Sequence, residues 1–206
     1  MVRSQLTFIS GGVRSGKSSF AEALLVKEAE EAHSRLVYIA SGIATDEEME
    51  SRIRKHQSDR AGQNWLTIEQ PTRLEEALST IQEGDFVLWD CLTTWLANEL
   101  YDGWETGTPC IGQAGCMERK ADEVIGTIQA IAKRATRFII VSNEVLDEPA
   151  SIYDETRIYC EWIGRLHREI VRLSSMAIEM DHGIAVYWKR EEASGDEWIN
   201  GHGNGF

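Results

Sequence analysis

Apolar residues in this chain fall into short unbroken runs, separated by longer stretches in which they recur every three or four positions. The runs Gln5 to Ser10, Leu36 to Ala40, Trp65 to Glu69, Phe86 to Asp90, Arg137 to Ser142 and Gly183 to Trp188 have strand length and are rich in β-branched and aromatic side chains. Several are continuously apolar rather than alternating, as expected where both faces of a sheet are covered. Strands alternating with segments of helical period predict an α/β fold, a mostly parallel sheet with helices on both faces. The pattern places a single domain over residues 1–189. Beyond it, Arg190 to Phe206 is polar, holds four glycines and ends Gly-His-Gly-Asn-Gly-Phe, which predicts a flexible C-terminal tail with His202 in solvent. Tyr101 to Gly115, with four glycines and a proline, reads as an exposed loop, either a lid or an oligomer contact.

The first run leads directly into Gly11-Gly12-Val13-Arg14-Ser15-Gly16-Lys17-Ser18, and the helix-like Phe20-Ala21-Glu22-Ala23-Leu24-Leu25 follows. A glycine-framed turn ending in Lys-Ser, set between strand and helix, is the P-loop pattern, so the fold expectation narrows to P-loop NTPase-like. Gly11 and Gly16 let backbone N–H groups converge on one point, and the helix that starts there adds its dipole, forming an anion cradle. In this reading Lys17 reaches the terminal phosphates and Ser18 holds Mg²⁺.

Phe86-Val87-Leu88-Trp89-Asp90 is an apolar strand closed by a carboxylate, the form in which an aspartate holds Mg²⁺ beside the P-loop hydroxyl. Ligands of parallel sheets bind outside the carboxyl ends of the strands, so Asp90 and the loop after Ser10 are expected on one rim. Asn143 and Glu144 fall on that rim as well, as ligand contacts or as capping and turn residues.

After the second strand, Thr45-Asp46-Glu47-Glu48 has capping-box form and opens a predicted helix from about Asp46 to Arg60. The helical repeat puts Met49, Ile53 and His56 on one face, with Arg52 and Arg60 a turn to either side of His56. A histidine so placed is either a packed core residue or, beside guanidiniums that suit a phosphate, a nucleophile toward phosphorus.

Charge narrows the partners. With 21 Lys and Arg against 34 Asp and Glu, the formal net charge is −13, a field that repels nucleic acid and anionic membranes, so any nucleotide must be held locally. No apolar run approaches the length of a membrane span and the N-terminus lacks signal-peptide form, which predicts a cytoplasmic protein. Cys91, Cys110, Cys116 and Cys160 form no Cys-x-x-Cys pair, and their spacing predicts reduced structural cysteines rather than a zinc site or disulfides.

Taken together, these stretches resemble the bifunctional adenosylcobinamide kinase and adenosylcobinamide-phosphate guanylyltransferase family of cobalamin biosynthesis. The matching residues are the P-loop with Ala21-Glu22, Tyr38-Ile39-Ala40-Ser41, Asp46-Glu47-Glu48-Met49 with Arg52-Ile53 and His56, then Arg60, Trp65 and Glu69, Asp90-Cys91-Leu92-Thr93-Thr94 with Asn98, and Ser142-Asn143-Glu144-Val145. The resemblance implies two reactions. A nucleoside triphosphate, ATP or GTP, phosphorylates the hydroxyl of the aminopropanol arm of adenosylcobinamide; a histidine, matched here by His56, then attacks the α-phosphorus of GTP and passes GMP to that phosphate. It also implies GTP contacts on the P-loop, on Ala40, Ser41 and Gly42, on Gln57, Ser58, Asp59 and Arg60, on Glu69 and on Asp90, and a homo-oligomer, with the trimer one form. Where family members continue with a glycine-rich Gly-x-Gly-Ile-Val-Pro, this chain has Leu146-Asp147-Glu148-Pro149, and His167 stands where they carry an amide. A P-loop kinase for another small hydroxyl compound, a paralogue keeping one of the two activities, and a GTP-binding regulatory module remain as alternatives.

Overall fold

The computed structural model describes residues 5–43, 64–144 and 154–190. Seven strands form one sheet: β1 (Leu6–Gly11), β2 (Leu36–Ala40), β3 (Trp65–Glu69), β4 (Phe86–Asp90), β5 (Arg137–Val141), β6 (Met176–Asp181) and β7 (Ile184–Lys189), in the order β3-β2-β4-β5-β1-β6-β7. All neighbours are parallel except β6 and β7. Four α-helices accompany them: α1 (Lys17–Ala32), α2 (Leu92–Tyr101), α3 (Cys116–Arg134) and α4 (Asp154–Leu173).

The helices split between the faces because each carries one apolar stripe. In α1, Ala21, Leu25 and Ala29 recur every four residues and pack with Ile9, Leu36, Leu88 and Ile139 on one side of the sheet. Helices α2, α3 and α4 cover the other side, where Leu96, Val124, Ile128, Ile163 and Ile170 meet Phe8, Val37, Val87 and Phe138. The central strands β1, β2 and β4 are therefore buried except near their carboxyl ends, and β5 is buried along its whole length. The register lines up Glu69, Ala40, Asp90, Val141, Ile9 and Ile178 as a single row across β3, β2, β4, β5, β1 and β6. The carboxyl end of that row is the rim on which the site is built.

Three expectations need correction. Met176–Asp181 is a strand, although Met, Ala and Glu favour helix; its slot beside β1 and the pairing of Ala177 and Ile178 with Phe8 and Ile9 override the local preference. Between β3 and β4 the chain makes a short 3-10 turn, Leu74–Ser79, rather than an α-helix. Cys110 and Cys116 are joined by a disulfide, with Cα atoms 5.5 Å apart, while Cys91 and Cys160 are free. Spacing hid that pair because the turn at Cys110–Gly112 doubles the chain back, which a linear count of residues does not show. The 101–115 segment is largely exposed, as expected of a loop, but it holds two 3-10 turns and is tied to the core through Cys110, bridged to Cys116 at the start of α3.

Candidate active site

The strand-to-helix turn after β1 takes its shape from close backbone approaches. Gly11 has φ 152°, and a Cβ there would lie 2.4 Å from the Met180 carbonyl oxygen and 2.7 Å from Ser15 Oγ, so no side chain fits. Gly16, at φ 90°, caps α1, and Arg14 adopts φ 62°. The loop is fixed from three directions: Ser15 N donates to Gly12 O at 3.1 Å, Glu144 N to Gly11 O at 2.8 Å, and Gly183 N to Ser15 O at 3.1 Å. The loop is thus held by β5's exit and by the β6–β7 turn.

Lys17, buried at the head of α1, points back over the loop and donates from Nζ to Gly12 O at 3.0 Å. Burial lowers its pKa from the ordinary lysine value, and the charge of Asp90 opposes that shift. A desolvated ammonium held mainly by a backbone carbonyl favours an incoming anion. Ser15 Oγ is buried with no partner among the described residues, a second polar atom in the cradle left unmatched. Ser18 stands half-buried in the first turn of α1.

Asp90 ends β4 on the same rim, and Tyr38 Oη donates to its Oδ2 at 3.0 Å. Ser41 is buried; its N–H donates to Asp90 O at 3.0 Å and its Oγ accepts from Trp89 Nε1 at 2.8 Å. The amide of Asn98, on α2, donates both to Ser41 O and to Pro71 O, at 2.9 Å each. One side chain thereby ties the ends of β2 and β3 to the helix that follows Asp90.

The rim between β4 and β5 is closed by Thr93. Its Oγ1 accepts from Asn143 Nδ2 at 3.0 Å, and its carbonyl accepts from Tyr159 Oη at 3.2 Å. Cys91 Sγ lies 3.2 Å from Thr93 Oγ1 and 3.0 Å from Thr94 Oγ1. Burial, and next the charge of Asp90, push the Cys91 thiol above its ordinary value, with the threonine hydrogen bonds opposing; the sulfur stays protonated and serves packing, not nucleophilic attack. Behind this layer Ser142 Oγ and His167 Nε2 are 2.8 Å apart, and the His167 ring meets Phe8 edge-on at 5.0 Å. Burial lowers His167 to about 4, so it is neutral.

Of the residues singled out in the sequence, the structure brings the P-loop from Gly11 to Ser18, Ala40, Ser41 and Asp90 to one rim. Gly42 follows on its exposed side. Glu69 lies exposed in the same register row, two strand spacings or about 10 Å from Asp90. Asn143 makes an inter-element bridge, and the Glu144 backbone braces the loop. The predicted Asp46–Arg60 helix, with His56, Gln57, Ser58, Asp59 and Arg60, lies outside the described residues, as do Leu146 to Pro149 and the tail from position 191. Sequence reading did not single out Tyr38 as the partner of Asp90, or the Ser142–His167 pair; the signal was available in Tyr38, a polar-tipped residue in an otherwise aliphatic strand. No helix among the described residues is long and apolar enough to cross a membrane.

That loop, in this strand order and with an aspartate at the end of β4, one strand removed from β1, makes the chain a P-loop protein of the α/β class. Within the class it belongs to the cobinamide kinase / cobinamide phosphate guanyltransferase family, whose model matches residues 7–187. The bifunctional adenosylcobalamin biosynthesis protein CobU of Escherichia coli (strain K12) is 29% identical over 186 residues, covering 88% of this chain and 98% of its own. Its counterpart in Salmonella typhimurium is 31% identical over the same shares, and the bifunctional protein CobP of Pseudomonas aeruginosa is 34% identical over 79% of this chain and 84% of its own. Among solved structures, the flagellar accessory protein FlaH from Methanocaldococcus jannaschii covers 95% of this chain and 83% of its own, at 14% identity and a TM-score of 0.49.

Proposed function

We propose that this chain carries out both reactions of its family: phosphorylation of adenosylcobinamide by ATP or GTP, then transfer of GMP from GTP to that phosphate through a guanylyl-histidine at His56. The observation that carries the reading is the buried Lys17 at the head of α1, its ammonium aimed over a glycine cradle and within the field of Asp90. In the first step the acceptor hydroxyl oxygen attacks the γ-phosphorus and loses its proton to solvent, the bond to the β-phosphate oxygen breaks, and the nucleoside diphosphate leaves. Lys17 and the loop N–H groups from Val13 to Ser18 stabilise the charge that spreads over the phosphoryl oxygens. In the second, the His56 imidazole displaces pyrophosphate from the α-phosphorus, and the cobinamide phosphate oxygen then displaces the imidazole, releasing adenosyl-GDP-cobinamide.

Ser18 and Asp90 suit Mg²⁺, being hard oxygen donors too few to form a cage alone, as befits an ion shared with phosphates; Mg²⁺ when bound neutralises phosphate charge. Further GTP contacts are proposed on Ala40, Ser41, Gly42, Gln57, Ser58, Asp59, Arg60 and Glu69. We place the enzyme in the cytoplasm as a homo-oligomer, with a trimer as the first form to test, built from one nucleotide-binding domain over residues 1–189; the net charge of −13 argues against nucleic acid as a partner.

Incubation with adenosylcobinamide and GTP labelled at the α- or the γ-phosphate tests the whole reading. Label from the γ-position on cobinamide, with acid-labile and alkali-stable α-label on protein, is the expected result. Turnover without protein label would leave a kinase alone, and nucleotide binding without either would leave a regulatory module.

A further inference from the structure

Helix α2 starts at the rim and ends in an exposed aromatic pair. Asn98, bonded to Ser41 O, lies one turn before Tyr101, a rise of about 4.5 Å along the helix. Tyr101 is 40% exposed, Trp104 is 59% exposed, and their rings meet edge to face at 5.8 Å. A continuous path therefore runs from Asp90 through Ser41 and Asn98 to two aromatic faces open to solvent.

The segment bearing them is cross-linked by its own hydrogen bonds. Thr108 N and Thr106 Oγ1 both donate to Gly103 O, Gly107 N donates to Trp104 O, and Cys110 N donates to Asp102 O. The Cys110–Cys116 disulfide anchors the end of the segment in the core. Gly103 has φ 85°, and a Cβ there would lie 2.6 Å from Thr108 O, so the turn admits glycine alone. Tyr101 Oη donates to Glu155 Oε2, linking the pair to α4. An exposed tryptophan on a backbone braced in this way, its ring against Tyr101, gains binding energy at a reduced ordering cost.

We propose that Trp104, supported by Tyr101, is the docking platform for the conjugated macrocycle of the acceptor, a specificity determinant set apart from the phosphate chemistry. The proposal rests on the function given above, in which the reacting hydroxyl sits at the end of a flexible arm, so the ring must lie some distance from the transferred phosphoryl group. Tyr101 and Trp104 follow Asn98 by three and six residues, past the helical turn that contacts the rim. Charge agrees: an alkylated cobalt(III) corrin without its lower nucleotide is a net cation, and the aromatic pair is bordered by Asp102, Glu105 and Glu155. Lys120 pairs with the buried Glu99 at 2.5 Å and, at the longer distance of 3.9 Å, with Asp102, so Glu105 and Glu155 carry more of the charge beside the pair.

The test compares kcat/KM for adenosylcobinamide with that for a truncated acceptor, the N-(2-hydroxypropyl) amide of propionic acid, which keeps the arm and lacks the ring. For Trp104→Ala the ratio should fall roughly tenfold, through KM for cobinamide rather than KM for nucleotide, and Trp104→Phe should recover most of it. Trp188→Ala, on the far edge strand β7, is the control and should change nothing. A ratio unchanged in Trp104→Ala, in an otherwise active enzyme, overturns the platform, as does a KM change that tracks a loss of oligomer in sedimentation. Wild-type protein that phosphorylates neither acceptor would overturn the underlying function instead, and the platform with it.

Discussion

Tyr38 and Asp90 sit on adjacent strands, β2 and β4, and are joined by a 3.0 Å hydrogen bond from the tyrosine hydroxyl to one carboxylate oxygen. That bond occupies Oδ2 and fixes the carboxylate plane, leaving Oδ1 for a ligand on the rim. Trp65 backs the tyrosine ring edge-on at 6.1 Å, so the hydroxyl has little freedom to turn away.

Tyr38→Phe should therefore cut turnover by on the order of 10-fold through a carboxylate that is less well aimed, whereas Asp90→Asn should cut it by on the order of 100-fold or more. Nucleotide affinity should drop far less in either variant than in Lys17→Ala, which removes the cation at the cradle's centre. Steady-state rates at several Mg²⁺ concentrations, with calorimetric titration of GTP, check both. The tyrosine is structural if Tyr38→Phe keeps the full rate and the same Mg²⁺ dependence.

The Cys110–Cys116 bond closes a short loop, with a sequence separation of 6. Loop-closure entropy gives such a bond about 2 kcal/mol, which for a chain of this size is about 4–8 °C in Tm. Both sulfurs are buried, so exchange with cellular thiols requires the segment to open and should be slow in folded protein. Alkylation of folded protein should leave these two cysteines unlabelled. Melting before and after reduction in denaturant, followed by refolding, should show the loss; equal melting temperatures would mean that the bond adds no stability.

His167 should make stability depend on acid. Its folded pKa is lowered to about 4 by burial, while the unfolded chain titrates near 6.5. Above pH 6.5 neither state binds the proton and the residue imposes no penalty. As pH falls below that value only the unfolded chain takes up the proton, so stability drops by about 1.4 kcal/mol per pH unit until the folded state protonates near pH 4. His167→Gln can keep a hydrogen bond to Ser142 and cannot titrate. Urea melts between pH 7 and pH 4.5 should show wild type losing stability faster than the variant, and parallel curves would refute the assignment.

The parts that sequence made legible are those in which local pattern and tertiary need agree. β1, β4 and β5 are unbroken apolar runs because their places in the sheet bury both faces, and the P-loop is spelled out because only glycine fits at Gly11. β6 was hidden for the opposite reason: its residues lean toward helix, and only the vacancy beside β1 makes it a strand. Within the site, Lys17 and Asp90 belong to motifs with fixed spacing. The Tyr38, Asn98 and His167 contacts join residues 25 to 57 positions apart, and no linear period encodes such pairs.

The proposed guanylyl-histidine is the step that separates the two-reaction reading from a plain kinase, and its candidate is His56. The motive is a histidine on the inward face of a predicted helix between Arg52 and Arg60, in the Arg-Ile-x-x-His element on which the family resemblance rests. GTP should add one GMP to the protein at His56, seen by intact mass and peptide mapping, and His56→Ala should lose the adduct while still binding nucleotide at the P-loop. Attack requires the neutral imidazole, so labelling should decline as pH falls through the ordinary histidine range. Phosphorylation of cobinamide should survive in His56→Ala, because moving the γ-phosphoryl group relies on Lys17 and the loop rather than on this ring. A GMP adduct found on His33 or His167, or none on wild-type protein, would defeat the assignment; loss of both activities together would mean that His56 supports the fold or the shared nucleotide site rather than carrying the guanylyl group.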